Sequence, residues 1–316
     1  MIPVSVVTGF LGAGKTTLLR RVLSDPAWAD SAVIVNEFGE VPLDHELLAA
    51  SEEVLVNVST GCLCCVVRTD LTATLMDLAR RRATGELPAY ARVLVETSGL
   101  ADPAPILHAL MTDAAVAETH RLRGVVTLVD ALHGAGALDR HPEARRQVLL
   151  ADRVLVTKPD LGDAAAVAEA VQALHPGLPL RAAVRGAVEP DWLFAPGDPA
   201  PLPDPTARHS AGLASIVIER EEPIPALALT LWMQALAEHA GTRLLRLKGL
   251  VALAEDPSRP MVVHAIQHIV HPPDWLEHWP GGDRRTRIVL IGQGIPRHFP
   301  ARLLAAIEAE VSAALR

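Results

Sequence analysis

The chain has 316 residues, half of them apolar, which is enough for two ordinary domains or one large one with an appendage. A net charge of −8 removes any global basic footprint for nucleic acid, and an aromatic content of 3% leaves little for base stacking. The N-terminus lacks the charged region and cleavage site of a signal peptide, and no apolar run is long enough to cross a bilayer, so we expect a cytoplasmic protein with neither a membrane nor a nucleic-acid partner.

Strands and helices alternate through the first two-thirds of the chain. Pro3–Val7 is a short apolar run, followed by a Gly-rich loop and helical spacing over Thr17–Leu23. Further strands are predicted at Ala32–Val35, Glu53–Val58, Arg92–Val95, Val125–Val129 and Arg153–Val156. The runs at Arg92–Val95 and Val125–Val129 are continuously apolar, as strands buried on both faces of a parallel sheet are. Leu71–Arg82 reads as a helix with Leu71, Leu75, Leu78 and Ala79 on one face, and Ala164–Leu174 is Ala-rich and helical. This rhythm predicts an α/β domain over residues 1–194, its mainly parallel sheet covered by helices on both sides. Pro196, Pro199, Pro201, Pro203 and Pro205 then exclude regular structure, so residues 195–212 read as a linker. Residues 213–316 read as a smaller α+β domain. Its strands are expected at Ser215–Glu219, Leu244–Leu253, Met261–Val270 and Arg287–Ile291, and its helices at Ala226–Ala240 and Ala301–Ala314.

Gly9-Phe-Leu-Gly-Ala-Gly-Lys-Thr-Thr17 matches the phosphate-loop pattern G-x-x-x-x-G-K-[ST]. Glycines let the backbone N–H groups of Gly12, Ala13 and Gly14 curl around phosphates, and the helix that follows aims its positive end at the anion. Lys15 is expected to reach the β- and γ-phosphates, Thr16 to ligate Mg²⁺ and Thr17 to contact the α-phosphate. A buried strand ends in Thr157-Lys158-Pro159-Asp160, a variant of the guanine-reading Asn-Lys-x-Asp. The Asp160 carboxylate can accept from guanine N1–H and the 2-amino group, donors that adenine lacks, so GTP is the expected nucleotide. Lys158 can cover the base plane, while Thr157 keeps a hydroxyl but loses the amide of Asn. A third element, Val93-Leu-Val-Glu96-Thr-Ser-Gly99, delivers a carboxylate at a strand end, as a Mg²⁺–water site needs. Asp102 shortly after it suits a helix cap.

The three cysteines lie within four positions, at Cys62, Cys64 and Cys65. Such spacing fits a reducing compartment and a soft-metal site rather than a disulfide framework. Three thiolates leave a fourth position open, which suits transfer better than storage.

With these motifs in order, the chain resembles the CobW-type metallochaperone GTPases, relatives of UreG and HypB, and in particular their YjiA-like members. The likeness rests on the phosphate loop, Asn36-Glu-Phe-Gly-Glu40, Gly61-Cys-Leu-Cys-Cys65, Glu96-Thr-Ser-Gly-Leu-Ala-Asp-Pro103 and Thr157-Lys-Pro-Asp160. In the last third it continues through Leu245-Arg-Leu-Lys-Gly249 and Val289-Leu-Ile-Gly292. It implies a P-loop GTPase domain followed by a CobW-like C-terminal domain. It also implies slow Mg·GTP hydrolysis coupled to loading or release of Zn(II) or Co(II) at Cys62, Cys64 and Cys65, for delivery to a client metalloprotein or pathway. Residues 36–44 become a first switch, in which Glu40 can add a carboxylate to the metal site and Asp44 can respond to the γ-phosphate. The oligomeric state stays open, a dimer included. The chain departs from many relatives in having a Pro-rich junction, with only His209 nearby, where they carry a His-rich stretch. If His264 and His268 share one strand, they lie about 13 Å apart, too far to hold one ion.

Other readings compete. A maturation scaffold or metal sensor, a nitrile hydratase activator among them, would bind GTP with little turnover. An ATP-dependent small-molecule kinase would use the same loop, but Asp160 argues against it.

Overall fold

The computed structural model describes residues 1–36, 55–57, 62–67, 71–195, 213–280 and 282–314. The chain forms two compact units, Met1–Val171 with Leu178–Asp198, and Gln172–Gly177 with Pro199–Arg316. The Pro-rich 195–212 segment lies outside the described residues apart from Ala195.

The first unit is built on one sheet. Its strands among the described residues are β1 (Ile2–Gly9), β2 (Ser31–Asn36), β3 (Leu55–Asn57), β4 (Cys62–Val67), β5 (Arg92–Thr97), β6 (His120–Asp130), β7 (Arg153–Thr157) and β8 (Leu180–Ala183). They lie in the order β3-β4-β2-β5-β1-β6-β7-β8, all parallel except β3, which runs antiparallel to β4. The helices are α1 (Lys15–Leu23), α2 (Leu71–Ala83), α3 (Ala104–Thr112), α4 (Ala114–Thr119), α5 (Gly134–Arg140), α6 (Pro142–Leu149), α7 (Ala164–Leu174) and α8 (Pro190–Leu193). The central strands carry unbroken apolar runs, Val93–Val95 and Val154–Val156, because both faces of a parallel sheet are covered. Leu18, Leu19 and Val22 of α1 pack against Val7, Val33, Leu94, Leu128 and Leu155, which anchors the helix that opens at the phosphate loop.

Two features depart from the pattern read in the sequence. The cysteine run forms β4, consistent with the β-favouring Leu63, Val66 and Val67. Helix α3 carries no marked 3.6-residue stripe: it is nearly apolar all round and buries Ala104, Ile106, Leu107, Leu110 and Met111.

The second unit is an antiparallel sheet with two long helices. It contains β9 (Leu213–Arg220), α9 (Ala226–Ala240), β10 (Leu244–Val251), β11 (Met261–Ile266), β12 (Ile269–Val270), β13 (Asp274–Trp275), β14 (Thr286–Gln293) and α10 (Phe299–Ala314). The order is β12-β11-β10-β14-β9, with β13 beside β11. Trp232 of α9 is fully buried among Leu247, Val263, Ile288 and Leu290, and its indole N–H donates to the Pro300 carbonyl of α10 at 2.9 Å. The single strand expected over Met261–Val270 is a hairpin, because Gln267 adopts φ 53 and reverses the chain. His264 and His268 therefore do not share a strand; His264 lies instead near His271, ring centroids 6.3 Å apart. Among the described residues no group of three His, Cys, Asp or Glu side chains could hold a metal ion, and no helix is long and apolar enough to cross a membrane.

His120 opens β6 at 1% exposure, with Nδ1 2.9 Å from the Thr119 hydroxyl. Burial pushes its imidazole from 6.5 down to about 4, helped by repulsion from the chain's amino group and Arg82. Between those two values the unfolded chain takes up a proton that the folded chain declines. Stability present above about pH 6.5 is therefore lost as pH falls towards 4, by at most about 3 kcal/mol. The stability gap between wild type and His120→Asn, measured by urea unfolding, should narrow across that window; a gap independent of pH would refute a buried neutral imidazole.

Candidate functional site

The site is built where the parallel strands end. β1 runs into the phosphate loop, and Gly14 caps α1 in the left-handed region at φ 91, a conformation other residues rarely adopt. No acidic residue of the helix itself occupies the first turn of α1. Lys15 is buried, and its Nζ donates to the carbonyls of Gly9 at 2.8 Å and Phe10 at 3.4 Å. Gly12, Thr16 and Thr17 are exposed at the same end of the helix, and Ala13 packs inward.

Two neighbouring strands close on this loop. Glu96, 6% exposed at the end of β5, is held in register with Val7 of β1. Its Oε1 accepts from the Thr16 hydroxyl at 2.8 Å. One residue on, the Thr97 hydroxyl donates to Thr8 Oγ1 at 2.8 Å, a side-chain tie between β5 and β1. On the other side, the Thr157 hydroxyl donates to the Ala13 carbonyl at 2.8 Å, and Lys158 Nζ donates to the Gly12 carbonyl at 2.7 Å. The side chain in the Asn position of the guanine-reading variant thus ties β7 to the phosphate loop through a hydroxyl alone. Asp160 lies exposed in the turn that follows, closed by the Leu161 N–H to the Lys158 carbonyl at 3.0 Å.

The structure therefore brings Lys15, Thr16, Glu96, Thr157 and Lys158 around one loop. A hydroxyl and a carboxylate meeting beside a helix N-terminus are hard oxygen donors of the type Mg²⁺ takes, so the residues present fit that ion. Pro103, not Asp102, is the N-cap of α3; Asp102 lies one residue earlier, its Oδ1 accepting from the Ala104 N–H at 3.0 Å and its Oδ2 from Arg146 at 2.5 Å. The backbone of β4 places Cys64 opposite Val33 of β2 and Cys65 opposite Ile34. The side chains of Cys62, Cys64 and Cys65, together with Glu40, Asp44 and the Asn36 side chain, lie outside the described residues.

Two residues escape the sequence motifs. Asp130 ends β6 at 5% exposure, and its Oδ1 accepts from the N–H groups of Leu132 and His133 at 3.0 and 2.8 Å, which fixes the turn beside the loop. The signal was present in Leu128-Val-Asp130, the same strand-end carboxylate pattern that marks Glu96. Gln147 is the other, a polar residue on the buried stripe of α6 beside Ala144 and Val148.

Thr157→Val should leave the buried Ala13 carbonyl without its hydroxyl donor and cost about 1–3 kcal/mol, whereas Thr157→Ser should stay close to wild type. Urea unfolding reads both; a valine variant as stable as wild type would remove this tie from the account.

Comparison with known proteins agrees with this arrangement. The family model described as CobW/HypB/UreG, nucleotide-binding domain, matches residues 3–184, and that of the cobalamin synthesis protein CobW C-terminal domain matches residues 213–309. The zinc chaperone YjiA of Escherichia coli is 30% identical over 305 residues, covering 93% of this chain and 95% of YjiA. Zinc-regulated GTPase metalloprotein activator 1 of Schizosaccharomyces pombe is 32% identical over 167 residues, 51% of this chain and 39% of that protein. The crystal structure of the Zn(II)-bound YjiA GTPase from E. coli matches with a TM-score of 0.70 at 28% identity, covering 97% of this chain and 98% of that one. A phosphate loop tied to a strand-end glutamate, a Thr-Lys-x-Asp strand and a separate antiparallel unit thus occur together in a protein that belongs to the CobW/HypB/UreG family.

Proposed function

We propose that this chain is a cytoplasmic GTP-dependent metallochaperone that carries Zn(II), with Co(II) as the other candidate cargo, and couples GTP hydrolysis to its delivery to a client metalloprotein. The observation that carries the GTPase part is the 2.8 Å hydrogen bond between Thr16 and Glu96 at the N-terminus of α1, which joins the phosphate loop to a strand-end carboxylate. Relatives named zinc chaperone and zinc-regulated GTPase support both the hydrolysis and the cargo.

In this reading the N–H groups of residues 12–16 and the Lys15 ammonium bind the β- and γ-phosphates, and Thr17 contacts the α-phosphate. Asp160 reads the guanine edge and the Lys158 stem covers the base. Thr16 and Glu96 hold Mg²⁺, which supplies charge neutralisation on the phosphates when bound. Residues 1–194 carry this chemistry. Residues 213–316 form a second domain, joined through 195–212, that is available for docking a client.

Cys62, Cys64 and Cys65, with Glu40, are the proposed ligands of the cargo. The sheet supports a link between the two sites. β2 lies between β4 and β5, so Val35 is in register both with Val66, just beyond the cysteines, and with Glu96. At the end of β2, Asn36 opens the proposed switch, through which a γ-phosphate can bias the cysteine strand.

Zn²⁺ titrations without nucleotide, with GDP and with a non-hydrolysable GTP analogue test this coupling. The analogue should tighten zinc binding by about five- to a hundred-fold over GDP. Equal zinc affinity in all three states would sink the coupling, and a Cys62/Cys64/Cys65→Ser protein that binds zinc as tightly as wild type would sink the ligand set. Asp160→Asn should move base preference from guanine towards xanthine, whose 2-oxo group accepts from the amide. Competition between the two nucleoside triphosphates reads this; an unchanged guanine preference removes Asp160 from base reading.

A further inference from the structure

Helix α6 makes an unusual use of a buried polar side chain. Gln147 is 0% exposed, and its Nε2 donates to two backbone carbonyls of the segment after Glu96, Gly99 at 3.1 Å and Ala101 at 3.0 Å. Its own main-chain carbonyl accepts from the Thr127 hydroxyl of β6 at 2.7 Å, so the donor stands on a fixed base. The preceding residue, Arg146, bonds the Asp102 carboxylate at the far end of the same segment.

The segment is held just as closely on its other side. A Cβ added at Gly99 would stand 2.8 Å from the Leu11 nitrogen and 2.9 Å from its Cα, so the loop lies directly on the phosphate-loop backbone. The helix also reaches the phosphate loop itself, since its N-cap His141 stacks on Phe10 with ring centroids 4.6 Å apart. Residues 99–102 are thus clamped between the loop that holds phosphate and a helix that touches both.

The Gln147 carboxamide is also unevenly satisfied. Both N–H bonds point at the segment, while Oε1 is buried with no hydrogen-bond partner among the described residues. A buried acceptor without a partner costs stability, so the bonds this position makes come from the donor half of the amide.

We propose that Gln147 is a positioning residue for GTP hydrolysis: its two N–H donors fix the Gly99–Ala101 backbone, and through it Glu96, in the geometry the terminal phosphate needs. The inference rests on the GTPase reading above. The residue touches neither nucleotide nor Mg²⁺; it acts through the segment it holds. Because the base, the α-phosphate and most of the phosphate loop are bound elsewhere, Gln147 governs turnover far more than nucleotide affinity.

The test compares wild type with Gln147→Met, of similar length and without donors, and Gln147→Glu, which turns a carboxylate towards two carbonyls. Steady-state GTP hydrolysis, GDP affinity and amide hydrogen exchange are measured on the full chain. Gln147→Met should lower kcat at least tenfold, leave GDP affinity within about twofold, and raise exchange at residues 99–102 while residues 9–17 keep their protection. In Gln147→Glu, a carboxyl facing two carbonyls protonates more readily, and the protonated form regains an O–H donor. Its kcat relative to wild type should therefore rise as pH is lowered from 8 to 6, a dependence that mere packing does not produce. Unchanged kcat in Gln147→Met overturns the proposal, as does a kcat loss matched by an equal loss of GDP affinity or a flat pH ratio for Gln147→Glu. Wild-type protein that binds GTP but hydrolyses none would instead overturn the GTPase reading, and the proposal with it.

Discussion

A phosphate loop turns its backbone N–H groups towards an anion, and this leaves its carbonyls to find donors elsewhere. That constraint organises the first unit. Gly9 and Phe10 receive the Lys15 ammonium, Gly12 receives Lys158 and Ala13 receives Thr157. Each donor comes from an element whose position the sheet already sets: α1 continues β1, and β7 lies one strand beyond β6. Thr157 and Lys158 thus brace the phosphate loop, and Thr157 does so with one hydroxyl in the position where Asn-Lys-x-Asp has an amide.

The same sheet brings two different chemistries into one frame. β5 ends at Glu96 beside the phosphate loop, and β4 carries the cysteine motif two strands away, with β2 between them. The cysteine motif and Glu96 are thereby separated by one strand. The second unit is held by its own antiparallel sheet and by the buried Trp232, which ties α9 to α10.

Much of this was legible in the sequence, for reasons that differ along the chain. Lys15, Thr16 and Glu96 stand in spacings that only a few chemistries require, and α7 and α9 coincide with stretches of strong local helical preference. What was not legible depends on contacts remote in sequence. The Gln147 side chain has meaning only because residues 99–101 lie across from it, 46 to 48 positions away. Helix α3 hides in an apolar run because it is buried on most sides. The reversal at Gln267 needs a positive φ at a residue that does not advertise one, so β11 and β12 read as a single strand in the sequence.

The short outer strands of the first sheet have a consequence for solubility. β3 offers three residues, Leu55–Asn57, and β8 four, Leu180–Ala183, whereas the interior strands β1 and β6 run to eight and eleven. At the β8 rim a strand of four residues exposes few unpaired backbone groups, and another chain finds little template there for edge-to-edge growth. Self-association of this unit, where it occurs, is thereby steered away from endless sheet extension and towards loops and helix faces, whose contacts can close and come apart again.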